Sequence, residues 1–229
     1  MIDVQTQPRS AIYLQDCIEG MKQYPDKHFD LAIVDPPYGI GEYGQRNAAG
    51  DRPTAKWKTP KSQHYVTFDD SKIPTDEYWN ELFRVSKNQI VWGGNYFTEH
   101  LPPSKGWIVW DKQADIKEHL SMCELAWSSF DKKCNKFEYL WAGFKKKHQV
   151  ERIHPTQKPV ALYEWLLHNY AKSGDLILDT HLGSGSSRIA AYKNGFDFVG
   201  FEIDADYYAA QEKRFQTFIA QQGYQLGNF

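Results

Sequence analysis

Cysteine is scarce and scattered in this sequence. The three cysteines, Cys17, Cys123 and Cys134, are odd in number and form no Cys-x-x-Cys pair. This usage argues against a disulfide framework and against a zinc site. We therefore predict no bound metal, and a reducing, cytoplasmic environment is the expectation.

Long apolar runs are also missing. No stretch approaches the roughly 18 apolar residues that a membrane-spanning helix needs. Residues 1–5 show no basic segment followed by an apolar one, so the sequence predicts no signal peptide and no membrane association. Hydrophobic residues make up 41% of the 229 residues and charged residues 24%, which is typical of a soluble domain with one substantial core.

A strong excess of one charge sign is absent, since the formal net charge is −2. The basic residues are nevertheless unevenly distributed. Residues 41–63 hold five Lys/Arg against two acids, and residues 131–152 hold seven against three. From residue 160 to the end, eight acids outnumber five bases. The two basic segments could contact phosphates, although a solvated surface gives the same pattern.

Short apolar runs alternate with amphipathic stretches along the chain. This alternation predicts an α/β, doubly wound, Rossmann-like sheet. Residues 41–74 are polar and rich in Gly, Pro and Lys, and a loop of that length is usually functional or disordered. The predicted strands are 11–14, 29–34, 89–92, 107–110, 120–127, 137–144, 176–178 and 198–201, and the predicted helices are 75–86, 160–171, 186–194 and 206–221.

A glycine-rich turn follows the predicted strand 176–178. It reads Asp-Thr-His-Leu-Gly-Ser-Gly-Ser over residues 179–186 and precedes a helix, which is the layout by which doubly wound folds bind nucleotides. Glu202 ends the next strand, nineteen residues after Gly183, a spacing that suits a carboxylate on ribose hydroxyls. The turn lacks a third glycine in register, which disfavours an NAD-type oxidoreductase.

The second constellation is the tetrapeptide Asp35-Pro36-Pro37-Tyr38, which ends the predicted buried strand 29–34. An exocyclic amine on a base is a poor nucleophile because its lone pair is delocalised into the ring. A carboxylate and a backbone carbonyl held by two prolines can accept its hydrogens and free that lone pair. The adjacent tyrosine offers a stacking surface for a base extruded from a duplex.

With these motifs in place, the chain resembles the amino-methyltransferase family of DNA methyltransferases in its permuted β-group order, in which the catalytic tetrapeptide precedes the cofactor motif. The likeness covers most of the chain. It rests on Asp16, residues 29–39, the segment His-Pro-Thr-Gln-Lys-Pro at 154–159, residues 179–186 and residues 201–204. It implies S-adenosylmethionine as cofactor, bound by Asp16, Thr156, Lys158, Asp179, Gly183, Ser184, Gly185, Ser186 and Glu202.

The resemblance also implies the activity, which is methyl transfer to adenine N6 in double-stranded DNA after base flipping, with Asp35, Pro36, Pro37 and Tyr38 as catalytic residues. The aspartate at the head of the tetrapeptide is similar to the adenine enzymes. Cytosine N4 and a base in RNA stay open as alternatives, and so does a catalytically decayed DNA-binding module. The predicted DNA contacts are Arg46, Arg52, Lys56, Trp57, Lys58, Lys132, Lys133, Lys136, Lys145, Lys146 and Lys147.

The family pattern suggests three regions. Residues 1–110 form a catalytic half that includes the loop 41–74, residues 111–152 form a small target-recognition region, and residues 153–229 form the cofactor-binding half. One departure concerns His181, which stands where the family usually has phenylalanine. We expect it to fill that aromatic position, while the alternative is that it faces the methionine half of the cofactor. The sequence leaves a homodimer open.

Overall fold

The predicted apolar runs form the strands of one eight-stranded sheet. The computed structural model describes residues 7–40, 72–113, 121–142, 145–146 and 152–226. The sheet contains β1 (Ser10–Leu14), β2 (Phe29–Val34), β3 (Ser86–Trp92), β4 (Ile108–Asp111), β5 (Cys123–Ser128), β6 (Asn135–Glu138), β9 (Leu176–Asp179) and β10 (Asp197–Glu202), while β7 (Trp141–Ala142) and β8 (Lys145–Lys146) pair separately.

The strand order is β1-β10-β9-β2-β3-β5-β4-β6. The first five strands in this order are mutually parallel. Strand β5 is reversed, because it pairs antiparallel with both β3 and β4, and β6 is again parallel to β4. The predicted doubly wound α/β class is confirmed, and the reversed strand is the feature that apolar patterning did not reveal.

Helices cover both faces of the sheet. The helices are α1 (Cys17–Met21), α2 (Asp76–Val85), α3 (Val160–Tyr170), α4 (Ser186–Lys193) and α5 (Ala205–Leu226), with a 3-10 turn at Gly94–Tyr96. Strand β2 shows why both faces need cover. Its Leu31 and Ile33 lie in one buried cluster with Leu162 of α3, whereas its Val34 lies in another with Leu82 of α2. A strand buried on both faces reads as a continuous apolar run, as this one does.

The permuted sequence segments meet at one edge of the sheet. Strands β2 and β9 are adjacent although 141 residues separate Asp35 from Leu176, and the chain winds away from this pair in opposite directions. In doubly wound sheets, ligands bind beyond the carboxyl ends of the strands at such a switch point. The tetrapeptide after β2 and the glycine turn after β9 therefore lie side by side.

The range predicted for target recognition, 111–152, contributes to the main sheet. Its β5 and β6 pair with β3 and β4, and the predicted strand 137–144 divides into β6 and the short β7. The boundaries of the three regions and the recognition role of 111–152 stay predictions. Within the described part of the chain, no helix is both long enough and apolar enough to cross a membrane.

Candidate active site

Asp35 follows β2 directly, and each of its two carboxylate oxygens has one partner. The hydroxyl of Tyr38 donates to Oδ1 at 2.6 Å. The ammonium of Lys158 donates to Oδ2 at 2.5 Å. The Asp35 side chain is 17% exposed and that of Lys158 only 4%. The structure therefore presents Asp35 as a hydrogen-bond acceptor at the carboxyl end of the strand, with a buried cation beside it.

Lys158 reaches this position because the segment before α3 is fixed to its surroundings. The indole of Trp141 donates to the carbonyl of Gln157 at 3.1 Å, and Ile153 N–H donates to the Gln157 side chain at 3.0 Å. His154 packs on Tyr207 with ring centroids 4.3 Å apart. Burial and the nearby cations Lys158 and Arg152 lower the pKa of His154 to about 3, so its ring is neutral.

Glu124 on β5 is the second carboxylate that contacts Lys158. Its Oε2 lies 3.1 Å from the Lys158 ammonium, and its Oε1 lies 2.6 Å from the ammonium of Lys112. Burial alone would raise the pKa of Glu124, but the two ammonium groups together lower it to about 2. Burial likewise opposes the charge on Lys158, yet Asp35 and Glu124 raise its pKa above the ordinary value. Glu124 and Lys158 therefore both carry charge at neutral pH.

The ring of Tyr38 is stacked on Tyr96, with centroids 5.0 Å apart and planes 17° apart. Phe97 contacts it edge-on at 6.0 Å. The ring also approaches the backbone of Gly93, whose φ of +67° suits glycine and where any Cβ would overlap the ring. Because Tyr96 is 46% exposed, this aromatic pair lies at the surface of the site, where a base could reach it.

The glycine turn has the backbone shape that the sequence predicts. Gly183 and Gly185 have φ values of +49° and +70°, and α4 begins immediately after Gly185. The hydroxyls of Ser184 and Ser186 contact each other at 3.1 Å, and Ser186 also donates to the Lys158 carbonyl at 2.8 Å. These bonds tie the turn to the Lys158 segment, and the predicted contacts of Ser184 and Ser186 with a cofactor stay predictions.

Glu202 ends β10 and accepts hydrogen bonds from two loops. Its Oε2 accepts from Gly183 N–H at 2.8 Å, and its Oε1 accepts from Ile203 N–H and Asp204 N–H at 3.0 Å each. A carboxylate has about four lone-pair sites, so these bonds leave acceptor capacity for a ribose hydroxyl. Glu202 therefore connects the glycine turn to the predicted ribose position.

The other predicted cofactor contacts lie at the same edge. Asp16 caps α1, with its Oδ1 accepting from Ile18 N–H at 2.8 Å and Glu19 N–H at 3.1 Å. Thr156 contacts the Nδ1 atom of His154 through its hydroxyl at 3.0 Å. These contacts hold the two residues in place, and their predicted roles toward the cofactor stay predictions.

His181 packs as a partly buried ring at the end of β9. It meets Tyr78 edge to face at 5.4 Å, and its Nδ1 lies 2.9 Å from the hydroxyl of Thr180, which in turn contacts the Tyr78 hydroxyl at 2.8 Å. Burial lowers the pKa of His181 to about 4, with Asp16 acting in the opposite direction. The neutral ring packs against another aromatic ring, and its role toward the cofactor stays a prediction.

Asp179 is buried at the end of β9 and accepts two hydrogen bonds. Its Oδ1 accepts from His181 N–H at 3.0 Å and its Oδ2 from the Ser187 hydroxyl at 2.5 Å. Burial raises the pKa of Asp179 to about 7, against the effect of those hydrogen bonds, and the charges of Asp35 and Glu202 add to the rise. The carboxyl ends of β2, β9 and β10 thus hold three interacting acids.

This shift predicts how stability depends on pH. Because the folded state favours protonated Asp179, its contribution to stability is complete below the unfolded pKa of about 3.9 and is lost as pH rises through about 7. We expect Asp179→Asn to reduce this fall in the free energy of unfolding, as measured by urea denaturation across that interval. Asp30→Asn is the control. Burial opposes the charge on Asp30, but Leu176 N–H and Lys87 lower its pKa, so stability is lost on acidification instead. An unchanged pH profile in Asp179→Asn contradicts the assignment.

The predicted DNA-binding lysines fall into different environments. Lys132 donates to the Asn169 carbonyl at 2.6 Å and lies over the Tyr170 ring, and Lys136 is paired with Glu138 and Asp111. Lys133 is exposed. For Lys145 and Lys146 the structure describes the backbone strand only. Arg46, Arg52, Lys56, Trp57, Lys58 and Lys147 lie outside the described residues.

Sequence reasoning missed Glu124, Lys112 and Tyr96. A signal was present for Glu124, because an acid within the apolar run 122–127 needs a buried partner. Tyr96 follows a Gly-Gly pair after a buried strand, which indicates a tight approach of backbone to another group. Neither signal identifies the contacting residue, because the Glu124–Lys158 and Tyr96–Tyr38 contacts join segments far apart in the chain.

The comparisons with known proteins relate the chain to DNA methyltransferases. A family profile described as DNA methylase matches residues 110–213. YubD of Escherichia coli (strain K12), a presumed methylase, is 26% identical over 216 residues, covering 87% of each chain. The type II methyltransferase M2.MboI of Moraxella bovis is 22% identical, covering 89% of this chain and 86% of its own.

Two solved structures show the same fold. The complex of M1.HpyAVI with SAM has a TM-score of 0.55 at 19% identity and covers 89% of this chain and 98% of its own. The cytosine-N4-specific PvuII DNA methyltransferase has a TM-score of 0.59 at 13% identity, covering 92% and 87%. The architecture is that of the Rossmann-like methyltransferases. The motifs, the family profile and the sequence relatives together support the DNA amino-methyltransferase family.

Proposed function

We propose that the protein transfers a methyl group from S-adenosylmethionine to an exocyclic amino nitrogen of DNA, with adenine N6 as the first candidate. The observation that carries the proposal is the adjacency of β2 and β9, which places the Asp35 carboxylate beside the glycine turn. An acceptor for the amine and a binding turn for the cofactor thus share one edge of the sheet.

The residues fit the cofactor. The left-handed glycines let the backbone approach a ligand closely, and Glu202 retains acceptor capacity next to them. Asp16, which follows β1, lies at the same edge. In the described residues no cluster of three or more His, Cys, Asp or Glu suits a metal ion, and the proposed chemistry uses none. When bound, S-adenosylmethionine supplies an electrophilic sulfonium methyl group.

The chain's own residues then activate the amine. Asp35 Oδ1 accepts one hydrogen of the amino group, and the Pro36 carbonyl accepts the other. The nitrogen becomes more tetrahedral, and its lone pair is freed to act as the nucleophile. Tyr38 stacks on the extruded base, in place of its present contact with Tyr96. Orientation and preorganised electrostatics supply most of the rate.

Cytosine N4 is the second candidate. Its support is the fold shared with the cytosine-N4-specific PvuII methyltransferase. Both amines are attached to an aromatic ring into which their lone pair is delocalised. The Asp35 carboxylate and the Pro36 carbonyl can therefore accept hydrogens from either amine. The aspartate at position 35, as in the adenine enzymes that the tetrapeptide resembles, favours adenine. Contact with DNA phosphates through the basic segments 41–63 and 131–152 is part of this proposal.

Nucleoside analysis tests the proposal. Purified protein is incubated with unmethylated genomic DNA, or with total RNA, and with S-adenosylmethionine carrying a deuterated methyl group. The nucleic acid is digested and the nucleosides are weighed. We expect labelled N6-methyldeoxyadenosine, whereas labelled N4-methyldeoxycytidine would select the second candidate. Label in RNA alone, or none with either nucleic acid, contradicts a DNA methyltransferase. Titration with NADH, where no binding is expected, tests the oxidoreductase alternative.

A further inference from the structure

We propose that Glu124 is a positioning residue for methyl transfer, because its carboxylate holds the Lys158 ammonium on Oδ2 of Asp35 and so keeps Oδ1 available for the amine. The inference rests on the function proposed above. It assigns a role to a residue on the reversed strand β5, outside every motif that carried the family resemblance.

The contacts form a chain of alternating charge. Asp35 contacts Lys158 at 2.5 Å, Lys158 contacts Glu124 at 3.1 Å, and Glu124 contacts Lys112 at 2.6 Å. The chain crosses from the end of β2, through the segment before α3, to the strand pair β4 and β5. Two carboxylates and two ammonium groups give the cluster no net charge, which reduces the cost of burying it.

Lys158 needs a second partner to stay in one place. Its ammonium has three donors on a flexible four-carbon stem, and its side chain is 4% exposed, so water is not available to satisfy them. The rings of Trp92 and Tyr38 lie 5.4 and 6.0 Å from the ammonium and limit its movement. Glu124 pulls the ammonium away from Oδ1, and without that pull the ammonium can bridge both oxygens of Asp35.

The hydrogen-bond partners of the two Asp35 oxygens therefore differ in how easily the target amine can displace them. On Oδ2 the partner is a cation held from its other side by Glu124. On Oδ1 the partner is the neutral Tyr38 hydroxyl, which also lies 3.5 Å from the Lys158 ammonium. Both bonds gain from the charge of the carboxylate, but only the Lys158 contact pairs two opposite charges, so the neutral hydroxyl is the easier of the two to displace. The target amine thus enters at Oδ1.

The test compares Glu124→Gln with Glu164→Gln. The first variant removes the charge and keeps the shape, and the second makes the same change on helix α3, where Glu164 pairs with Lys193. We measure single-turnover transfer of labelled methyl to unmethylated genomic DNA and the Kd for S-adenosylmethionine. We expect the Glu124→Gln rate to fall about 10- to 100-fold because the acceptor is misplaced, with the Kd for the cofactor unchanged. The Glu164→Gln rate should stay at the wild-type value.

Glu124→Asp separates positioning from folding. It keeps the charge but shortens the side chain, so an intermediate rate is expected, and this variant carries the test if Glu124→Gln fails to fold. A wild-type rate in both Glu124 variants overturns the positioning role while leaving the proposed function intact. A parallel loss of cofactor binding also overturns it, since that indicates a structural role. If the wild-type protein labels no DNA, the proposed function fails, and the positioning role fails with it.

Discussion

Asp35→Asn is expected to reduce the single-turnover rate of methyl transfer about 10²- to 10³-fold, the usual cost of losing one preorganised electrostatic contact to the reacting group. The substitution keeps the shape of the side chain but leaves only one acceptor oxygen. If that oxygen faces the Lys158 ammonium, the new NH₂ group points at the target amine. If it faces the amine, the NH₂ group opposes the ammonium at the former 2.5 Å contact. Neither orientation serves both partners.

Cofactor affinity should change little in Asp35→Asn, because the glycine turn, Glu202 and Asp16 belong to other strands. The Kd for S-adenosylmethionine, measured by calorimetry, is therefore expected to stay within a few-fold of the wild-type value. Asp26→Asn is the matched control, since Asp26 is exposed and pairs only with Arg84 among the described residues. Full activity in Asp35→Asn refutes the catalytic assignment, and a large loss of cofactor affinity assigns Asp35 to binding instead.

The sheet could be predicted because its signals are local. Strand β2 is apolar on both faces, so the run 29–34 indicates a doubly covered strand wherever its neighbours lie. The tetrapeptide and the glycine turn each mark the end of the strand before them. Their adjacency followed from the rule that ligands bind at carboxyl ends, combined with the permuted family order, although 144 residues separate Asp35 from Asp179.

The charge cluster could not be predicted, because its partners are set by tertiary packing. Lys158 stands in a cofactor motif, and its sequence position gave no reason to pair it with Asp35 rather than with a cofactor. The structure places its ammonium on both Asp35 and Glu124. The direction of β5 decides that second contact, and apolar patterning carries no information on strand direction. The same limit applies to Lys132, whose membership of a basic run hid its bond to the Asn169 carbonyl.

Glu202→Gln is expected to weaken S-adenosylmethionine binding at least about 10-fold, which corresponds to about 1.4 kcal/mol. An amide retains one acceptor oxygen for the two positions that Glu202 now serves. With the oxygen toward Ile203 and Asp204, the NH₂ group faces Gly183 N–H, donor against donor, where a 2.8 Å bond existed. The glycine turn then loses its tie to β10, and the ribose acceptor loses its charge.

Stability should fall in the same variant, because a buried N–H left without an acceptor costs about 1–3 kcal/mol. Urea denaturation of the free protein measures this loss separately from cofactor binding. Asp197→Asn is the control at the opposite end of the same strand, where the carboxylate pairs with the exposed Arg9 and a surface ion pair is worth at most about 1 kcal/mol. If the Glu202→Gln protein loses stability but binds the cofactor normally, this carboxylate stabilises the turn and does not contribute to cofactor binding. Loss of both would support the proposal that one side chain shapes the turn and also binds the cofactor.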